Sequence, residues 1–203
     1  QVKKSISDIV AGCILQVKGQ REGFYAVALP DGRKGLINRN EAIPFDRLTP
    51  ENYLTTANLR ATAESFMGIP YMWGGTSPKG FDCSGFVKTV YYLNGIILSR
   101  DASQQFGHGI RLGRSSYPDS LRTGDLLFFG SSKFGRPRPT HVAMYIGDTE
   151  YINASGMVKI SSLDSTRNNF SRSRRNSFMG VRRIIGAEYG RGIEPVEGNS
   201  WYK

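Results

Sequence analysis

The sequence predicts an α+β fold in which helices come first and an antiparallel sheet follows. Apolar residues between Leu54 and Tyr91 recur at helical spacing, and those from Leu126 to Ile185 alternate with period 2. Helices first and an antiparallel sheet afterwards make an α+β domain. A length of 203 residues is enough for one well-packed domain and a small additional one.

Residues 8–43 read as a compact β unit. Ile9–Val17 and Phe24–Leu29 are strand-like, and polar, glycine-bearing Lys18–Gly23 suits a hairpin loop between them. The turn Pro30-Asp31-Gly32 leads to a short strand, Lys34–Ile37. Short strands and tight turns predict a small barrel filling residues 1–46, and 44–50, bounded by Pro44 and Pro50, reads as a linker. Thr49-Pro50-Glu51 has a capping hydroxyl, a first-turn proline and an acid, so a helix is expected from there to Gly68, with Leu54, Ala57, Ala61 and Met67 on its inner face.

Phe86, Val87, Val90 and Tyr91 then mark one face of a second helix that Asn94-Gly95 closes. After the turn Thr123-Gly124-Asp125, strands are expected at Leu126–Phe129, His141–Ile146, Tyr151–Ala154, Val158–Ile160 and Val181–Ile185. The main domain is placed at 50–186, with 187–203 as an extended tail.

Composition narrows the classes of function. No apolar run approaches the roughly 20 residues of a membrane helix, and no basic-then-apolar leader is present. Lys+Arg 27 against Asp+Glu 17 gives +10, which favours anionic partners. Zinc-ligand spacing, a phosphate loop and aromatic RNA-binding motifs are all missing, so neither nucleic acid nor a metal or organic cofactor is implied. The late basic run of Arg167, Arg172, Arg174, Arg175, Arg182 and Arg183 reads as a solvated face. Two cysteines do not make a disulfide framework. Cys13 lies in an apolar run, where a buried thiol is expected.

Cys83 differs, because Asp82 is a good N-cap and sets it in the first turn of the helix that follows. Helix dipole and free N–H groups there favour a thiolate and can hold an oxyanion. Such a nucleophile needs a base, and the chain has two histidines. His108, between glycines, reads as a solvated loop residue; His141 opens a strand at a loop mouth. Asn153, on the next strand, could accept the imidazole N–H that faces away from the cysteine. In a regular hairpin pairing Ile146 with Tyr151, His141 and Asn153 would point to opposite faces, so an odd-length loop or a β-bulge is required.

Four ordered motifs now stand together: Tyr71-x-Trp73-Gly74-Gly75, Phe81-Asp82-Cys83-Ser84-Gly85, Leu121-x-x-Gly124-Asp125-Leu126-x-Phe128-Phe129 and His141-Val142-x-x-Tyr145-Ile146-Gly147. Together they resemble the NlpC/P60 family of cysteine peptidases over about residues 50–186. The resemblance implies a papain-like fold that cuts peptidoglycan stem peptides between γ-D-glutamate and a diamino acid. It implies Cys83, His141 and Asn153 as catalytic residues, the last at a position often filled by His. Tyr71 would hydrogen-bond near the nucleophile, Trp73 would wall the cleft, and Asp82 and Ser84 would contact substrate.

In relatives acting on free stem peptides, the acid matching Asp82 binds the amine of an N-terminal L-alanine. The segment Arg100-Asp101-Ala102-Ser103-Gln104 matches the lining of the glutamate pocket; Arg100 would pair with a substrate carboxylate there, or with Asp101 or another acid. Residues 8–43 resemble a bacterial SH3-like domain, of which relatives often carry two. Peptidoglycan fragments are thus the expected partners of a monomeric enzyme acting in the periplasm or outside the cell. An acyltransferase or amidase on the same thiol fold, and a wall-binding protein with a vestigial catalytic domain, are the alternatives.

Overall fold

The computed structural model describes residues 5–113, 117, 119–190 and 192–202. Strands β1 (Gln16–Arg21), β2 (Phe24–Ala28) and β3 (Lys34–Asn38) form an antiparallel meander. This corrects the expected barrel: the described residues show an open three-stranded sheet, not a closed one. The apolar supply explains it. Tyr25 and Val27 are the buried apolar side chains of this sheet, whereas Val17 and Leu36 face solvent. Residues 9–15 form no strand, and Cys13 is exposed instead of buried.

The helix expected from residue 50 is two helices, α1 (Pro50–Tyr53) and α2 (Thr56–Glu64). Thr55 breaks them apart, because its hydroxyl accepts from the Asn58 N–H (3.1 Å) and caps α2 anew. The inner face shifts accordingly to Leu59 and Ala63, and Met67 is exposed. A two-stranded ribbon, β4 (Thr76–Ser77) and β5 (Gly80–Phe81), leads into α3 (Cys83–Tyr92). Phe86, Val87, Val90 and Tyr91 of α3 are completely buried, as their spacing predicts. Each is worth roughly 1.5–3 kcal/mol of burial, so the helix is anchored along its length. Tyr91 also donates to the Gly124 carbonyl at 2.6 Å, tying α3 to the turn before the sheet.

Strand β6 (Ile96–Leu98), helix α4 (Ala102–Gln105) and strand β7 (Ile110–Leu112) follow. The sheet is then built from β8 (Leu126–Lys133), β9 (Arg136–Gly147), β10 (Glu150–Ser155) and β11 (Met157–Ser162). Helix α5 (Arg172–Ser177) and strand β12 (Phe178–Arg183) complete it, in the order β11-β10-β9-β8-β12-β7. Its helix-side face carries Leu126, Phe128, Val142, Met144 and Ile146. The opposite face carries Leu127, Phe129, Ala143, Tyr145 and Tyr151. Burial on both faces is why Leu126–Phe129 is uninterruptedly apolar.

Two expectations needed revision. The Pro-rich segment read as a loop before His141 is strand, because β8 and β9 continue outward to the pair Lys133–Arg136 as a two-stranded arm. The residues read as an extended tail dock: β13 (Ile193–Pro195) pairs with β6, Ile193 and Val196 are buried, and the Tyr202 ring meets Phe45 at 5.6 Å.

A thiol–imidazole–amide site at the tip of helix α3

The tip of α3 is fastened by Asp82. Its Oδ1 accepts from the Gly85 N–H (2.6 Å) and its Oδ2 from the Gly74 N–H (3.0 Å). The glycines around it have a steric reason. A Cβ on Gly85 would lie 2.0 Å from the Gly75 carbonyl oxygen, and one on Gly75 would lie 2.3 Å from that of Gly80. The Trp73-Gly74-Gly75 loop therefore presses directly onto the helix start, which places Cys83 beneath it. Trp73 itself is 88% exposed at the rim.

The Cys83 sulfur is buried and faces the backbone N–H groups of Val142 and Ser84. Val142 adjoins His141 on β9, so helix tip and base-bearing strand meet at this point. Burial pushes the Cys83 thiol up, and the Asp82 charge adds to it against the two N–H groups that stabilise the anion. The sequence argument for a ready thiolate at a helix start is thus overridden by desolvation.

His141 and Asn153 meet as predicted, through an irregularity in the β9–β10 ladder. The β9–β10 pairing shifts register between Glu150 and Tyr151, which turns Asn153 to the face that carries His141. The β8–β9 pairing shifts between Phe129 and Gly130, leaving Thr140 as the extra residue beside His141. His141 Nε2 lies 2.9 Å from Asn153 Oδ1. An amide oxygen only accepts, and the Asn153 amide nitrogen is engaged by the Lys159 carbonyl (3.2 Å), so Nε2 carries the proton. The free lone pair is therefore on Nδ1. Burial and the neighbouring Arg174 cation lower His141 to about 3, against the Asn153 hydrogen bond, which raises it. At neutral pH thiol and imidazole both rest uncharged.

The remaining predicted residues divide into two groups. Arg100 pairs with Asp82, not Asp101: Nη2 reaches Oδ2 at 2.5 Å, and Nη1 reaches Asp82 Oδ1 and Ser84 Oγ at 3.1 Å each. Burial raises the Asp82 pKa, but the bonds from Arg100, Gly85 and Gly74 outweigh it and hold the carboxyl below its ordinary value. Ser84 is buried within this cluster. Asp101, the N-cap of α4, and Ser103 within it are exposed, and Gln104 Oε1 accepts from the Asp101 N–H at 3.0 Å. Tyr71 lines the cleft on the other side with Thr140, His141, Arg174 and the Ala154–Gly156 turn, enclosing about 300 Å³.

Two residues escaped the sequence reading. Gln105 is buried and donates to the carbonyls of Ser84 (3.2 Å) and Ser99 (2.9 Å), bracing the helix tip. Arg174 was placed on a solvated face but reaches the cleft; Arg182 and Arg183 are likewise engaged, on the Phe106 carbonyl (2.7 Å) and on Asp125 (2.7 Å). Period alone carried no signal for Arg174, since α5 has no apolar face.

A family model for NlpC/P60 matches residues 68–179, more than half of the chain. The chain belongs to the NlpC/P60 family. It is 37% identical over 130 residues to a γ-D-glutamyl-L-lysine dipeptidyl-peptidase of Bacillus cereus, covering 64% of this chain and 38% of the relative. It is 38% identical over 143 residues to dipeptidyl-peptidase 6 of Lysinibacillus sphaericus, covering 68% of this chain and 48% of that one. A crystal structure of an NlpC/P60 family protein from Bacillus cereus superposes with a TM-score of 0.69 at 31% identity, over 83% of this chain and 53% of the other. The NlpC/P60 chain thus spans about half the length, or less, of these relatives.

Proposed function

We propose that this chain is a cysteine peptidase cleaving the bond between γ-D-glutamate and a diamino acid in peptidoglycan stem peptides. Released peptides with a free N-terminal L-alanine are the preferred substrates. The observation that supports the reading is that the Cys83 thiol faces the backbone N–H of Val142, the residue next to His141, whose Nε2 lies 2.9 Å from the Asn153 amide oxygen. Relatives named as dipeptidyl-peptidases acting on γ-D-glutamyl-L-lysine support it.

In the proposed cycle, Cys83 attacks the γ-carbonyl as its proton passes to His141 Nδ1, and backbone N–H groups at the helix tip hold the oxyanion. His141 returns the proton to the leaving amine, and water then releases the dipeptide from the acyl-enzyme. Asn153 keeps the imidazole in the required tautomer. The acyl part is assigned to the side of Asp82, Ser84, Arg100, Asp101 and Ser103, with Tyr71 and Trp73 bounding the cleft. Because Asp82 is saturated by Arg100 and backbone donors, capture of the alanine amine there proceeds by exchange. The amine takes over Asp82, and Arg100 turns to the glutamate carboxylate.

The test is mass-spectrometric detection of L-alanyl-D-glutamate released from L-Ala-γ-D-Glu-L-Lys and from its N-acetylated form. Cleavage that N-acetylation suppresses and Cys83→Ser abolishes is the expected outcome. Full-speed cleavage by Cys83→Ser would overturn the assignment.

A further inference from the structure

Two arginines lie beside the proposed catalytic residues, and only one has a carboxylate partner. Arg100 is neutralised by Asp82 at 2.5 Å. Arg174 makes no ion pair and no side-chain hydrogen bond among the described residues, although it is only partly exposed. Its guanidinium lies 5.7 Å from the centre of the Phe129 ring, which is itself 5.8 Å from the His141 ring, and it lines the cleft with His141 and Tyr71. A half-buried cation without a counter-charge gives up part of its hydration, which the Phe129 face offsets only in part. Here it also opposes protonation of the catalytic imidazole. A fold with no use for a cation at this position would gain from losing it.

Which part of a substrate meets Arg174 follows from the chemistry. His141 must deliver a proton to the departing amine, so the leaving residue occupies the part of the cleft that His141 lines. That part is bounded by Thr140, Tyr71, the Ala154–Gly156 turn and Arg174. No acidic side chain lines it, so a leaving residue ending in an ammonium finds no counter-charge there. A carboxylate does, and a guanidinium fork suits it geometrically.

Building on the peptidase reading above, we propose that Arg174 is the anchor for a carboxylate on the leaving diamino acid. The chain therefore favours leaving residues that present a free carboxylate over those that do not. Two sources fit the chemistry, the main-chain terminus of a tripeptide and a side-chain carboxylate such as that of meso-diaminopimelate.

The decisive experiment compares four substrates that share L-Ala-γ-D-Glu and end in L-Lys or meso-diaminopimelate, each as free acid and as C-terminal amide. The wild type should cleave the carboxylate-bearing members at least 10-fold more efficiently in kcat/KM than the lysine amide, which has no carboxylate in its leaving residue. Arg174→Gln should collapse that ratio towards one, and Arg174→Lys should restore part of it. Preference for diaminopimelate amide over lysine amide would identify the side-chain carboxylate; preference for free acids alone would identify the terminus. A ratio that survives in Arg174→Gln, or a wild type that does not discriminate, overturns the proposal.

Free meso-diaminopimelate and L-lysine amide, titrated calorimetrically into Cys83→Ala protein, should show carboxylate-dependent binding that Arg174→Gln abolishes, even if none of the four peptides were cut. Indifference of that binding to Arg174→Gln would overturn the anchor whatever the peptidase assays show.

Discussion

Acid should destabilise this protein through His141, and the size of the effect follows from its surroundings. The imidazole is buried beside the Arg174 cation, and its pKa falls from 6.5 to about 3 on folding. The folded state therefore holds the neutral form. This advantage is complete above pH 6.5 and drains away as pH falls towards 3, because only the unfolded chain takes up the proton. One proton corresponds to about 1.4 kcal/mol per pH unit, so between pH 6.5 and pH 4 the loss reaches about 3 kcal/mol. Set against a total of roughly 5–15 kcal/mol, that is a large share. Stopping at pH 4 limits the contribution of Asp82, whose lowered pKa adds its own loss at greater acidity. Urea unfolding at pH 7, 6, 5 and 4 should show wild type losing about 3 kcal/mol more than His141→Gln, which does not titrate and keeps a donor for Asn153. Parallel curves for the two proteins would refute the account, since they would mean that folding leaves the imidazole as basic as in water.

Two further substitutions test the frame of the site. Asn153→Ala strips His141 of its partner and leaves the Lys159 carbonyl unmatched, so kcat/KM should fall roughly 10- to 100-fold and stability by about 1–3 kcal/mol. Asn153→His should recover most activity, and steady-state kinetics with urea unfolding would show a failure of either. Gly85→Ala drives a methyl to 2.0 Å from a backbone oxygen and 3.0 Å from Asp82 Oδ1. A loss of about 3 kcal/mol is expected from such overpacking, and an unchanged unfolding midpoint would show that loop and helix are not clamped together.

The positions of Cys83 and His141 were legible because each sits beside a strong local signal. Asp82 is a good cap, Phe86-Val87 and Val90-Tyr91 fix the helix phase, and alternation from His141 to Ile146 fixes the strand. Even the register fault between Glu150 and Tyr151 was required in advance, since side chains on a regular pair alternate and His141 and Asn153 could not otherwise meet. The helix break at Thr55 was missed because apolar spacing bridged it, although the hydroxyl that recaps α2 was in plain view. The N-terminal barrel failed for lack of apolar surface: a resemblance in the Phe24–Gly35 segment does not supply further strands. Proline misled at Pro137 and Pro139, which sit in the outer arm of β9, where β8 is the strand paired with them. The docked C-terminal strand escaped notice because Ile193-Glu194-Pro195 is too short to show any period.

Burial holds Cys83 as a thiol and His141 as neutral imidazole, so the protein does not keep a separated ion pair waiting in the empty cleft. Arg174 makes the base weaker still, which disfavours proton transfer while no substrate is present. On the assignment of Arg174 to a leaving-group carboxylate, the arriving anion removes that penalty at the moment the imidazole must accept the thiol proton. Recognition and activation then share one electrostatic contact, and linkage requires the reverse as well: protonating His141 should tighten the hold on the carboxylate. In the empty cleft Asp82 already answers the charge of Arg100, so that arginine imposes no comparable penalty before substrate arrives. The asymmetry between the two arginines is therefore a physical reason for the leaving side of this cleft to discriminate among substrates.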